Sequence, residues 1–275
     1  MVQISAQQAG IRDIRKDGTM KYGLIGEKLG HSYSKLIHER IAEYNYDLIP
    51  LSKEEFLTFM ERKDFTAINV TIPYKQAVIP YLDELDPLAK EIGAVNTIVK
   101  RGGRSIGYNT DFFGFRYMLE YNEIKIAGRK CLILGSGGTS HTVRAVLNHL
   151  GASQVLVVSR QSAQDAISYE ECYGNHLDAQ VIVNTTPLGM YPKTEASPLD
   201  LTPFTQCTAV VDAIFNPLET RLTRQAEALG MKGITGLMML VAQAKQAIEY
   251  FLDRKLEDTV IEDTYCYLLQ TLKNQ

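Results

Sequence analysis

Lys75 and Asp111 are the residues of this chain best placed to move a proton. Lys75 follows Asn69-Val70-Thr71-Ile72-Pro73-Tyr74, a strand pattern ending in a proline-led turn that fixes where the lysine points. Asp111 closes Gly107-Tyr108-Asn109-Thr110-Asp111 and opens a helical pattern, where a carboxylate also serves as a cap or a dipole-favoured charge. A lysine can accept a hydroxyl proton once burial or positive surroundings lower its pKa, and an adjacent aspartate would orient it. A third segment, Gly30-His31-Ser32-Tyr33-Ser34, sets two hydroxyls one residue apart at a helix start. Such a pair could hold a carboxylate, and it suits helix capping equally well.

In the second half, Lys130-Cys131-Leu132-Ile133-Leu134 runs into Gly135-Ser136-Gly137-Gly138-Thr139-Ser140 and then into a helical pattern. Glycines there allow a tight turn and close backbone approach to a pyrophosphate, while the helix N-terminus supplies free N–H groups. Ser140 occupies the third glycine position of the dinucleotide fingerprint, so the loop alone is a weak signal and its strand–turn–helix–strand context carries the reading. The second strand ends in Ser159-Arg160-Gln161-Ser162, with no acid before Asp165. An acid at that strand end would mark a ribose 2′-hydroxyl; a guanidinium suits a 2′-phosphate, favouring NADP over NAD. A hydride-carrier site combined with a proton-moving pair points to a dehydrogenase.

The elements that position these groups alternate short β-branched runs with longer amphipathic ones, the pattern of an α/β protein with a mostly parallel sheet. The runs predict strands over Tyr22–Ile25, Tyr46–Pro50, Thr66–Thr71, Ala94–Val99, Lys130–Leu134, Gln154–Val158, Gln180–Asn184 and Ala209–Asp212. Helices are predicted over Ser34–Tyr44, Lys53–Lys63, Asp111–Tyr121, Ser140–Leu150, Glu219–Leu229, Leu237–Asp253 and Glu257–Leu272. The polar stretch Asn122–Arg129 reads as a boundary, giving two parts with a site in the cleft between them.

Composition narrows the function classes. With 29 Lys+Arg against 32 Asp+Glu, the net charge of −3 argues against a broad basic surface for nucleic acid. The four cysteines form no Cys-x-x-Cys pair, which argues against a zinc site or a disulfide framework and for reduced thiols in the cytoplasm. No apolar run approaches the ~18 residues of a membrane span. Residues 1–19 are polar, lack the apolar core of a signal peptide, and read as an extension ahead of the first strand.

Beyond these physical signals, the chain resembles the shikimate dehydrogenases (the shikimate/quinate dehydrogenase family) from Met20 almost to the C-terminus. The resemblance rests on Gly30–Ser34, Asn69–Lys75, Gly93–Thr97, Gly107–Asp111, the glycine loop, Asn184–Met190, Val211–Thr220 and Gly236–Ala244. It implies NADP-linked interconversion of 3-dehydroshikimate and shikimate, in the chorismate route to aromatic amino acids. It also implies an α/β substrate-binding domain over 20–123 plus 238–275 and a Rossmann-like NADP-binding domain with a parallel sheet over 124–237. By position, Lys75 would be the general acid/base with Asp111 as its partner, and Ser32 and Ser34 would meet the carboxylate. Thr71, Asn96 and Gln243 would bond the ring substituents. Gly135, Ser136, Gly137, Gly138, Thr139, Ser159 and Arg160 would hold the cofactor's phosphates and adenosine ribose. Ala213 and Gly236 would face its nicotinamide end through their backbone. The expected partner is a small-molecule substrate, with neither nucleic acid nor membrane, in a monomer or a homodimer.

Five features depart from the family pattern. Lys35 stands where proline commonly follows the second serine, and Tyr74 where His or Phe commonly precedes the lysine. Phe215 replaces a tyrosine whose hydroxyl would assist at the carboxylate, so a weaker grip on that group is expected. No second basic residue follows Arg160 before Asp165, and the segment from Gln161 to Asp178 is short. The alternatives are a quinate/shikimate dehydrogenase preferring NAD and, in a different class, a non-catalytic ligand-sensing homologue. A methylenetetrahydrofolate dehydrogenase would need a Tyr-x-x-x-Lys motif, which Tyr74-Lys75 does not supply.

Overall fold

The computed structural model describes residues 22–30, 32–160 and 165–273. The expected extension 1–19, His31 and residues 161–164 lie outside them.

Residues up to 108 build one six-stranded sheet: β1 (Tyr22–Gly26), β2 (Tyr46–Pro50), β3 (Ala67–Val70), β4 (Glu84–Leu85), β5 (Thr97–Arg101) and β6 (Arg104–Tyr108). Their spatial order is β2-β1-β3-β5-β6-β4, parallel among the first three and antiparallel from β3 to β5 and β5 to β6. The helical crossovers α1 (Ser34–Ile41) and α2 (Lys53–Arg62) make the parallel part. Ser52 and Glu55 form a capping box that starts α2.

Strand β6 is not among the strands the hydrophobic pattern predicts, although Gly102-Gly103 before it is a hairpin signal. Both glycines hold positive φ, +56° and +81°, as the two-residue turn between antiparallel strands requires. Strand β5 starts at Thr97 rather than Ala94, because Val95 N and Asn96 N donate instead to Lys75 O and Tyr108 O. Helix α1 stops at Ile41 rather than Tyr44. Ala42 turns extended there, and Tyr44 tilts against Tyr22 with its hydroxyl on His38 Nδ1.

The second sheet is wholly parallel: β7 (Lys130–Leu134), β8 (Gln154–Val158), β9 (Ala166–Ile167), β10 (Val181–Asn184), β11 (Ala209–Asp212) and β12 (Lys232–Ile234). In the order β12-β11-β10-β7-β8-β9, the chain leaves β7 toward β8 and later returns to its other side at β10. That reversal opens a crevice at the carboxyl ends of β7 and β10, where a parallel sheet receives a nucleotide.

The remaining helices are α3 (Pro87–Ile92), α4 (Asp111–Tyr121), α5 (Gly138–His149), α6 (Tyr169–Asn175), α7 (Arg221–Ala228), α8 (Leu237–Leu252) and α9 (Thr259–Lys273). Helices α3 and α6 are short and absent from the pattern-based set. Helix α8 packs along α4 and also touches α1 and α9, so the C-terminal helices return to the first sheet's side. The α4–α8 crossing is close because Gly114 has no side chain: a Cβ there would lie 2.6 Å from Met239 O.

One buried cluster runs from Ile133 and Val146 through Phe115 and Met118 to Leu237, Val241 and Ile261, joining the two sheets' helices. The boundary segment belongs to it as well, since Ile124 and Ile126 are buried there. Among the described residues, no helix is long and apolar enough to cross a membrane, and no three His, Cys, Asp or Glu side chains gather as a metal would need.

Candidate active site

Lys75 leaves the Pro73 turn beyond β3, and Asp111 is the first residue of α4. Their side chains meet with Nζ 2.6 Å from Oδ2, 14% and 9% exposed respectively. The turn is held from both sides: Thr71 N donates to Ile25 O, and Tyr74 N donates to Thr71 O. Tyr74 is buried, stacks on Phe56 at 4.2 Å and donates its hydroxyl to Leu51 O. The departure at Tyr74 is therefore fully satisfied in the fold.

Asp111 stands on a buried polar network. Asn96 Oδ1 accepts from Thr110 N at 2.7 Å, while Asn96 Nδ2 donates to Thr110 Oγ1 at 3.0 Å. Thr97 joins through its hydroxyl on Asn96 Oδ1, and Asn69 Nδ2 donates to Thr97 Oγ1 at 3.0 Å. Gln243, 133 residues from Thr110 in sequence, reaches Thr110 Oγ1 at 3.4 Å. Asn109 ties the two sheets together, donating to Ala94 O and to Thr142 Oγ1 on α5.

Ser32 Oγ accepts from Ser34 N at 3.2 Å in a local turn ahead of α1, which leaves the Ser32 hydroxyl hydrogen free to donate. Their loop is stitched to the lysine turn by Glu27 N on Ile72 O. Tyr33, between the serines, meets Phe215 edge-on with ring centroids 5.8 Å apart, so this segment faces the loop beyond β11. Lys35 closes the open side of β2: its Nζ donates to Tyr46 O and pairs with Glu39, which accepts from Tyr46 N. Proline in its place could make neither contact.

The glycine turn leaves β7 at Gly135, whose φ of +103° suits glycine and whose Cβ would sit 3.0 Å from Thr186 Cγ2. Ser140, in the third fingerprint position, is buried and donates to Gly137 O at 2.6 Å, which turns its side chain back into the loop. Gly137 has no such packing reason, since a Cβ there would meet nothing within 4 Å. Open space over a glycine that the fold does not need fits close approach by a phosphate group.

Ser136 Oγ lies 3.2 Å from Ser159 Oγ, linking the turn to the end of β8, and Arg160 beyond it is exposed. Among the described residues, Arg160 makes no salt bridge. Gly236 packs directly on Ala213, whose carbonyl oxygen occupies the space a Cβ at 236 would need.

The two halves converge on Gly138: a Cβ built there would lie 3.8 Å from both Cβ and Cδ of Lys75. The Lys75–Asp111 pair and the glycine turn thus lie side by side. The family profile described as "Shikimate dehydrogenase substrate binding domain" matches residues 24–98. "Shikimate dehydrogenase (NADP(+))" of Halothermothrix orenii is 39% identical over 270 residues, covering 88% of this chain and 93% of that one. The protein of the same name from Symbiobacterium thermophilum is 37% identical over 261 residues, with 85% and 89% covered. The chain belongs to the shikimate dehydrogenase family.

Solved shikimate dehydrogenases share its fold. The chorismate mutase/shikimate 5-dehydrogenase fusion protein of Clostridium acetobutylicum superposes with a TM-score of 0.86 at 36% identity, covering 93% of this chain and 99% of that one. The shikimate 5-dehydrogenase of Thermus thermophilus, solved with NADP(H) and shikimate, gives 0.79 at 29% identity, with 90% and 99% covered. Beside the shikimate dehydrogenase motif residues, the structure brings in groups the motif reading left without a role: Asn69, Thr97, Asn109, Thr110, Asn184 and Asp212. All but Thr97, Asn184 and Asp212 lie in the polar segments around Lys75 and Asp111; Thr97 lies in the family segment between those two, and Asn184 and Asp212 lie in family segments further along. Their signal was present; their partners were not.

Proposed function

We propose that this chain catalyses the reversible NADPH-dependent reduction of 3-dehydroshikimate to shikimate. The observation that carries the reading is the Lys75–Asp111 pair, nearly buried and lying against the glycine turn at Gly138. The names of the curated relatives support the substrate and cofactor class.

A nicotinamide dinucleotide supplies the hydride in reduction and takes it in oxidation. Lys75 Nζ gives a proton to the carbonyl oxygen as the hydride reaches the carbon, and takes the hydroxyl proton in the reverse direction. Asp111 fixes the lysine's direction, and the Asn96–Thr110–Gln243 network fixes Asp111. Ser32 and Ser34 bind the substrate carboxylate, and Thr71, Asn96 and Gln243 bond its ring hydroxyls. Gly135 to Thr139, with Ser159 and Arg160, hold the phosphates and adenosine ribose. Ala213 and Gly236 border the nicotinamide.

On this reading the substrate part spans 20–123 plus 238–275 and the cofactor part 124–237. The two separate sheets, and the packing of α8 on α4, support that division. A cytoplasmic setting fits the four free cysteines, of which Cys131, Cys172 and Cys207 are buried. Burial pushes the Cys131 thiol up to about 12 and those of Cys172 and Cys207 up to about 11, leaving them inert.

Initial rates with shikimate and quinate, each against NADP+ and NAD+, test the reading. Shikimate with NADP+ should give the highest kcat/KM. Faster turnover of quinate with NAD+ would shift the assignment to the NAD-linked alternative. Ligand binding without any turnover would point to a sensor.

A further inference from the structure

Asp212 ends β11 with its side chain completely buried, and among the described residues no cation pairs with it. Three donors converge on it from three segments. Ile214 N and Asn184 Nδ2 both reach Oδ1 at 3.0 Å, and Thr220 Oγ1 reaches Oδ2 at 2.8 Å. Burial pushes its carboxyl up to about 6, against those hydrogen bonds. A buried carboxylate without a counter-charge is costly, and core packing alone would not call for one.

Two of the three donors, Asn184 and Ile214, lead toward the cofactor crevice. Asn184 Oδ1 accepts from Thr186 N at 3.0 Å and Thr186 Oγ1 at 2.7 Å, and Thr186 borders Gly135 at the glycine turn. On the other side, Ile214 O accepts from Gly236 N at 2.8 Å, where Gly236 packs on Ala213. Thr220 caps α7, holding the far end of the loop that carries Phe215.

We propose that Asp212 is a positioning residue for the cofactor, setting the spacing between the glycine turn and the Ala213–Gly236 contact through Asn184 and Ile214. The inference rests on the NADP-binding reading above. Asp212 touches neither substrate nor reacting atoms, so it acts on cofactor binding and leaves substrate binding alone. The Oδ1 contacts tie the two ends of the crevice together; the Oδ2 contact ends on a hydroxyl that can also accept.

The test compares Asp212→Ala, Asp212→Asn and Thr186→Ala in the full chain, reading the NADPH dissociation constant by calorimetry and both Michaelis constants. Asparagine keeps an acceptor at Oδ1 and should bind NADPH within about twofold of the unaltered chain. Alanine should weaken NADPH binding about tenfold or more while the KM for shikimate stays within about twofold. Thr186→Ala, which removes the hydroxyl half of the Asn184 link and leaves the backbone half, Asp212 and its three donors in place, should weaken NADPH binding about fivefold. It also decides the matter if Asp212→Ala fails to fold. Lower thermal stability with unchanged NADPH binding in the alanine variants would overturn the proposal, as would an equal rise in both Michaelis constants. An unaltered chain that itself fails to bind NADPH would overturn the NADP reading instead.

Discussion

Lys75 Nζ lies 2.6 Å from Asp111 Oδ2, across the boundary between the Pro73 turn and the start of α4. The contact joins residues 36 apart in sequence, and the aliphatic stem of Lys75 lies against Gly138 of the glycine turn. If this group moves the proton, Lys75→Ala should lower kcat by about 10²-fold or more, in line with general acid–base contributions. NADPH binding should persist in the variant. Near-normal turnover in a folded Lys75→Ala protein refutes the assignment.

Phe215 faces Tyr33 edge-on, beside the two serines. A hydroxyl added there should supply a further donor to the substrate carboxylate. One hydrogen bond to a charged group is worth about 1.5–3 kcal/mol. Phe215→Tyr should therefore lower the KM for shikimate about tenfold or more, measured from initial rates at saturating NADP+. An unchanged KM would mean that the carboxylate lies beyond reach of position 215.

Arg160 is exposed at the end of β8, with Ser159 linked to Ser136 on the turn. A guanidinium on the 2′-phosphate distinguishes the two dinucleotides because NADH has no such group. Arg160→Gln should raise the KM for NADPH about tenfold and leave that for NADH unchanged. A parallel change for both cofactors would remove Arg160 from the 2′-phosphate.

Asp212 also makes stability depend on pH. Burial raises its folded pKa to about 6 from an ordinary value of 3.8, so the folded state holds this proton more tightly than the unfolded chain does. The stabilisation is complete below the unfolded value and is lost as pH rises through the folded one, in total about 3 kcal/mol. Asp212→Asn does not titrate. Its stability in urea, relative to the unaltered chain, should thus improve by most of that amount, about 2 kcal/mol, between pH 4 and pH 7. A difference that stays constant across this range would show that Asp212 keeps an ordinary pKa in the fold.

The glycine turn, most strands of both sheets and the candidacy of Lys75 and Asp111 were legible in the sequence. Each depends on local chemistry: glycine's access to positive φ at Gly135, alternation of apolar runs with helical ones, a proline-led turn before a lysine. Strand β6 was missed: Gly102-Gly103 marks its turn, but its residues Arg104 to Tyr108 have little apolar periodicity.

Burial and long-range pairing are properties of the folded chain, and only the tertiary structure decided them. Thr110 and Gln243 come together because Gly114 lets α4 and α8 cross closely. An aspartate at position 212 reads in sequence as an ordinary strand-end acid. It becomes a buried hub because β10, the loop beyond β11 and α7 each turn a donor toward it. Sequence determined which groups could do the chemistry. Packing decided which are held in place, because a side chain's solvation and hydrogen-bond partners come from elements that meet only in three dimensions.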